Sequence, residues 1–287
     1  MRIGLVGAGP WAAATHAPAL RAHPEVDFVG VWARRLDAAA ALGAPVFASF
    51  DDLLAAVDVV AFAVPPDVQA RLGVRAARAG RHLVLDKPIA ADLAAAVDLA
   101  AAVEQAGVVS IVVLTRRFAP ETREFLAAAQ DGDWAGGAGV WLSGAALGGP
   151  YAASAWRHQL GALADVGPHV LDLLDAALGT ITAVAHAHRD ARSDTWQVGL
   201  EHAGGRVSTA TLSLRTPVMP SVLRVGVHGA GGLVELTSRD TSALECYRTL
   251  LDELIDRART GIPHPLGVRR GRHLQWVGQQ VLQATLR

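Results

Sequence analysis

The chain has 287 residues, 51% of them hydrophobic and 18% charged, with a formal net charge of −1. That length supports two domains, or one large one, and the near-neutral charge excludes the basic excess that nucleic acid or an anionic membrane surface demands, leaving a small-molecule partner. The lone Cys246 forms no intrachain disulfide and has no cysteine neighbour for a zinc site, which suits a reducing cytoplasm.

The chain opens on "MRIGLVGAGP", whose apolar run is broken by Gly7, Gly9 and Pro10 too soon for a secretory signal. No later run reaches the ~18 apolar residues of a membrane span. Residues 2–7, 26–33, 58–64, 81–86 and 108–114 are short runs rich in Val, Ile, Leu and Phe, separated mostly by alanine-rich stretches of helical length such as "PPDVQARLGVRAARAG" and "AADLAAAVDLAAAVEQAG". Strands apolar nearly throughout are buried on both faces, so this alternation predicts a doubly wound parallel α/β domain over residues 1–117. After Arg117 the pattern changes. Helical segments at 120–131 and 166–178 precede strands of alternating polarity, "TAVAHAHRD", "TWQVGLEH", "RVSTATLSLRT", "VLRVGVHG" and "GLVELTSR", with Gly204-Gly205 and Gly231-Gly232 at expected hairpin turns. Helices at 243–260 and 267–286 follow, so residues 118–287 are predicted to be an α+β domain with a mainly antiparallel open sheet.

The first turn, Gly7-Ala8-Gly9-Pro10-Trp11-Ala12, forms G-x-G-x-x-A between a strand and a helix. Gly7 permits the tight turn, Gly9 lets the backbone approach a pyrophosphate, and Ala12 allows close helix packing, so a dinucleotide site is expected. An acid at the end of the second strand would pair with the ribose of NAD. Ala33, Arg34 and Arg35 stand there instead, and guanidinium groups suit a 2′-phosphate, which favours NADP with NAD as the alternative. Two arginines in a solvated loop would read the same way.

Further on stand "AGRHLVLDKPIAADL" and "WRHQLGALADVGPHVLD". Together with "GAGPWAAATHAPAL" they resemble the glucose–fructose oxidoreductase / inositol dehydrogenase / MocA-like family of two-domain NAD(P)-dependent oxidoreductases, closely over the first ~180 residues by motif order and spacing. The resemblance implies that Lys87 works beside the nicotinamide and that Asp165 and His169 act at the substrate. It further implies cofactor contacts from the glycine turn, from Val64 and Pro65, from Gln69 and from Asp86, Lys87 and Pro88, with Trp156 and Arg157 reaching the cofactor or the substrate; Arg116, at the end of the last α/β strand near the expected cleft, suits a cofactor contact, an anionic substrate or a plain junction of the domains. Asp86 replaces the family's usual Glu, Gln69 stands where many members have a histidine, and the C-terminal domain is short, which leaves the substrate class open.

The chemistry fits that assignment. Moving a hydride to or from a carbon also moves a hydroxyl proton; His169 can exchange one near neutrality, and Lys87 can stabilise an alkoxide or relay its proton. Asp165, His169 and Asp172 share a face if their segment is one helix, and Pro168 requires that helix to start just before it. Asp165 as a helix cap and His169 as a packed residue fit the same residues. His186 and His188 share a strand face with no further ligand nearby, so no metal site is expected. The stretch "SGAALGGPYAASAW" suits either a loop over the cleft or a plain connection. The reading is an NADP-preferring oxidoreductase acting on a sugar, cyclitol or related alcohol or carbonyl, forming a homo-oligomer through its C-terminal sheet. The alternatives are an imine or enone reductase on the same fold, or a non-catalytic nucleotide-binding regulator.

Overall fold

The computed structural model describes residues 1–130, 132–149, 155–238 and 240–286. Its first part runs β1 (Arg2–Val6), a π-helical turn (Ala12–His16), α1 (Ala17–Ala22), β2 (Asp27–Trp32), α2 (Leu36–Ala40), α3 (Phe50–Ala56), β3 (Val59–Phe62), α4 (Pro66–Arg78), β4 (His82–Leu85), α5 (Leu93–Ala106), β5 (Ser110–Val112) and a 3₁₀ turn (Thr115–Phe118). The second part runs α6 (Pro120–Gln130), β6 (Trp134–Leu142), α7 (Ala155–Asp165), α8 (Gly167–Leu178), β7 (Ile181–Asp190), β8 (Thr195–His202), β9 (Val207–Ser213), β10 (Val222–Gly229) and β11 (Gly232–Leu236). Two helices follow, α9 (Ala243–Thr260) and α10 (Val268–Ala284).

The first sheet has the order β2-β1-β3-β4-β5 and is parallel throughout. Its central strands carry no solvent-facing side: Ile3, Leu5, Val59, Val60, Leu83 and Val84 are all fully buried. Each such side chain contributes roughly 1.5–3 kcal/mol of burial free energy, which explains why these runs read as apolar rather than alternating. Since β2 and β3 lie on opposite sides of β1, the sheet order reverses there, and the carboxyl ends of β1 and β3 flank the crevice where open α/β sheets take ligands.

The second sheet has the order β11-β10-β6-β9-β8-β7, antiparallel except where β6 runs parallel to β9. The strands expected from alternation are present, and both glycine pairs fall at their hairpins. Strand β6 is an addition to the expected set. Its sequence "WAGGAGVWL" has the low strand propensity of glycine, yet it lies between β10 and β9, because α8 packs so close that a Cβ on Gly139 would stand 2.4 Å from Val170 Cγ1.

A single cut between residues 117 and 118 does not describe the domains. One compact unit comprises Met1–Phe118 with Ser242–His273, the other Ala119–Thr241 with Leu274–Arg287. Helix α9 starts on a capping box, Ser242 with Glu245, and buries Cys246, Tyr247, Leu250, Leu251, Leu254 and Ile255 within the first unit. His23 Nε2 bonds Asp252 at 2.9 Å, and Arg259 pairs with Glu25. The apolar stripe of α9 is legible in sequence, whereas the layer that covers it is a tertiary choice.

Candidate active site

In the first unit, the expected cofactor residues collect at the carboxyl ends of the parallel strands. Gly7, at φ +112°, ends β1, and its N–H donates to the Trp32 carbonyl at 2.9 Å. A Cβ there would stand 2.3 Å from the Ala63 carbonyl oxygen, so the neighbouring strand end admits only glycine. At Gly9 the situation is the opposite: a Cβ would meet nothing within 4 Å. The protein's own packing does not require that glycine, but the open space beside the turn suits a pyrophosphate approaching the backbone. Ala8 is half-buried, Pro10 exposed and Trp11 half-buried, while Ala12 is fully buried under the helix.

Ala33 follows β2 directly and is buried, and Arg34 and Arg35 come next, both exposed. Neither guanidinium makes an ion pair or hydrogen bond among the described residues. Val64 and Pro65 sit after β3, half-buried and exposed respectively, and Arg116 is buried in the 3₁₀ turn after β5.

After β4, Asp86 and Lys87 are half-buried and Pro88 is buried. The Lys87 N–H donates to Asp86 Oδ1 at 2.9 Å. Gln69, expected at the cofactor, has no exposed surface at all. Its side-chain amide is directed into the Asp86–Ile89 loop: Oε1 accepts from the Asp86 N–H at 2.8 Å, and Nε2 faces the carbonyls of Asp86, Ile89 and Pro88 at 2.8, 3.1 and 3.3 Å. Gln69 is therefore a loop residue here, since a fully enclosed amide has no surface left to touch a ligand.

Composition carries one signal that motif reading passes over. Lys87 is the one lysine in the chain; every other member of the 26 basic Lys and Arg residues is arginine. Arginine stays charged and holds its protons near neutral pH, whereas a lysine ammonium can give one up when its surroundings favour it. In a chain that uses arginine everywhere else, the exception stands at the carboxyl end of a central strand.

In the second unit, Asp165, His169 and Asp172 are all buried, at 9%, 7% and 1% exposure. They do not lie on one continuous helix. Helix α7 ends at Asp165, Val166 is the N-cap of α8, and Pro168 occupies the first turn of α8 as its missing N–H requires. Asp165 thus belongs to the last turn of one helix, while His169 and Asp172 share a face of the next. The His169 ring stacks on Trp141, with centroids 5.3 Å apart and planes 26° apart. Trp156 is half-buried on α7, and Arg157 lies outside the described side chains, as residues 150–154 of the glycine-rich stretch lie outside the described residues.

Asp194 is the residue that sequence reading missed. It lies in the turn between β7 and β8, 5% exposed, and at φ +47° it is the one non-glycine residue at positive φ among the described residues. Its carboxylate accepts from the Ala162 N–H at 2.7 Å and from Trp196 Nε1 and Arg189 Nη2, each at 3.2 Å. Helix α7 kinks at Gly161, φ +65°, where a Cβ would stand 2.4 Å from Asp194 Oδ1. The carboxylate therefore caps the Ala162–Asp165 turn that carries Asp165. Only the turn itself was legible, from an aspartate between two strands.

His186 and His188 are both exposed on β7, and no group of His, Cys, Asp or Glu among the described residues could hold a metal. No helix of the described residues is long and apolar enough to cross a membrane.

Comparison with known proteins adds three findings. Residues 1–114 match the model of an oxidoreductase family with an NAD-binding Rossmann fold, GFO_IDH_MocA. A galactose 1-dehydrogenase from Pseudomonas fluorescens is 35% identical over 96 residues, which cover 32% of this chain and 31% of that relative. The matched segment thus spans about a third of the curated relative's length. Among solved structures, GenD2 from gentamicin A biosynthesis, in complex with NAD, superposes with a TM-score of 0.87 at 22% identity, covering 100% of this chain and 94% of its own. A myo-inositol dehydrogenase from Corynebacterium glutamicum superposes with a TM-score of 0.85 at 18% identity, covering 100% and 96%. At these identities the two structures speak to the fold.

Proposed function

The chain belongs to the GFO_IDH_MocA oxidoreductase family through its residues 1–114, and on that premise we propose that it moves a hydride between NADP and a hydroxyl-bearing carbon of a sugar, cyclitol or related compound. The observation that carries this reading is the sole lysine, Lys87, at the carboxyl end of β4 in the sheet whose β1 turn leaves open space at Gly9. When bound, the nicotinamide supplies the hydride acceptor or donor. The chain's own residues handle the proton and the charge. Lys87, as an ammonium, stabilises the oxygen that becomes an alkoxide, and His169 takes the hydroxyl proton or returns it, with Asp165 steering the ring. The stack on Trp141 fixes the His169 ring plane, which limits the directions in which it can exchange a proton.

The preference for NADP rests on Arg34 and Arg35, exposed after β2 with no carboxylate engaging them among the described residues. The chain's lone cysteine, Cys246, is buried, which fits a cytoplasmic setting. Association of copies is assigned to the face of the second sheet opposite α8. There Ala138 on β6 and Thr209 on β9 are paired, exposed positions, while the side chains of His186 and Glu235 lie over Gly199 and Gly226. The deciding experiment is steady-state turnover with NADP and NAD against a panel of hexoses, cyclitols and their keto forms, with imines and enones as a second panel. Turnover confined to the second panel replaces the alcohol reading with imine or enone reduction. Cofactor binding without turnover on either panel makes the chain a nucleotide-binding regulator.

A further inference from the structure

We propose that Gln69 is a positioning residue that sets the pose of Lys87, an inference that rests on the role given to Lys87 above. Gln69 stands in the first turn of α4, one strand away from the loop it holds, and its side chain is enclosed on all sides. At Asp86 its amide both accepts from the N–H and donates to the carbonyl, the pattern of a paired strand. The pairing of β3 with β4 reaches Ala61 and Val84. Beyond that point the Gln69 amide supplies the next partner for the strand end, one residue before Lys87.

The same Nε2 also faces the carbonyls of Pro88 and Ile89. The loop thus curls around one amide, with bonds on both sides of Lys87. Two N–H groups serving three carbonyls must share one of them. Pro88 has no N–H of its own, so the loop cannot close these carbonyls with an ordinary backbone turn. A glutamate at this position would set a carboxylate against three carbonyl oxygens. A methionine of similar volume would leave the Asp86 N–H without its acceptor inside the fold. Only a side chain that both donates and accepts satisfies the loop, and holding residues 86, 88 and 89 fixes the backbone from which the Lys87 side chain extends.

Because Lys87 is the one lysine, it can be observed alone. Reductive methylation with ¹³C-formaldehyde labels it and the N-terminal amine, giving two assignable NMR signals in the whole chain. In wild type the Lys87 methyl resonance should lie away from that of an exposed lysine, and in Gln69→Met or Gln69→Glu it should move to the exposed position while thermal unfolding still shows a folded protein. Turnover per folded molecule should fall about tenfold to a hundredfold at saturating substrate, with NADPH affinity within about threefold, because misplacing a reacting group acts on kcat more than on binding. In the Lys87→Ala background, Gln69→Met should cost nothing further, which a merely structural role would not produce. An unmoved resonance in both folded variants, or equal losses from Gln69→Met with and without Lys87, overturns the proposal. If Lys87→Ala alone keeps full turnover, the catalytic reading of Lys87 fails, while the resonance still decides whether Gln69 positions the lysine.

Discussion

Tyr247 Oη and His16 Nδ1 stand 2.8 Å apart, both fully buried, although 231 positions separate them in the chain. Burial lowers the pKa of His16 to about 3, and it raises that of Tyr247 well above its ordinary value, with the nearby Asp86 charge adding to the shift. The pair is therefore an uncharged hydrogen bond at neutral pH, and it ties the helix after the glycine turn to α9.

This pair predicts an acid-labile first unit. The pKa of His16 in the unfolded chain is about 6.5, so between that pH and about 3 the unfolded state binds a proton that the folded state refuses. Stability then rises with pH across the window and falls as pH drops through it, by up to about 1.4 kcal/mol per unit. His82, also lowered chiefly by burial, acts in the same direction there, and His202 does so in the second unit. Denaturant unfolding at pH 7 and pH 5 should show a smaller loss in His16→Gln than in wild type; equal losses would mean that water or a rearranged ring relieves the buried imidazole.

Cofactor choice is predicted to depend on Arg34. Replacing it with alanine should weaken NADPH binding by about tenfold or more and leave NADH binding nearly unchanged, because only NADPH carries the 2′-phosphate that a guanidinium engages. Fluorescence titration of both cofactors measures this. Equal wild-type affinities for the two would remove the arginine argument.

For His169 the structure predicts two separable effects. His169→Asn should cut turnover by about a hundredfold or more through loss of the exchangeable imidazole proton. It should also cost about 1 kcal/mol of stability, since the smaller amide gives up the stack on Trp141. Turnover normalised to folded protein, with thermal unfolding alongside, reads both. A stable variant with full turnover would make His169 a packing residue.

Asp194 is predicted to act on stability and on the Asp165 turn together. Asp194→Ala removes the acceptor of the buried Ala162 N–H and strands the buried Trp196 Nε1–H, at a cost of about 2–4 kcal/mol, while the partly exposed Arg189 can turn to water. Asp194→Asn keeps an acceptor and tolerates positive φ, so it should recover about half of that loss. Gly161→Ala should be destabilising as well, because its Cβ would overlap the same carboxylate. Unfolding midpoints across the three variants test the ranking.

The amino-acid order by itself determined the parallel sheet, its glycine turn and the hairpins of the second sheet. Fully apolar runs such as Val59–Phe62, positive-φ turns such as Gly204-Gly205, and the break forced by Pro168 are local consequences of side-chain burial and backbone sterics. It also carried the sole lysine and the arginine pair, which are composition and position alone. Tertiary structure decided what depended on a distant partner. Strand β6 exists because α8 and two neighbouring strands cover glycines that would not hold a strand alone. Helix α9 joins the first unit because Tyr247 finds His16 there, and no local pattern names which apolar layer receives a stripe. Gln69 turned from a cofactor residue into a loop holder for the same reason: a glutamine after a strand looks alike in sequence whether its amide faces a ligand or a backbone 17 residues away.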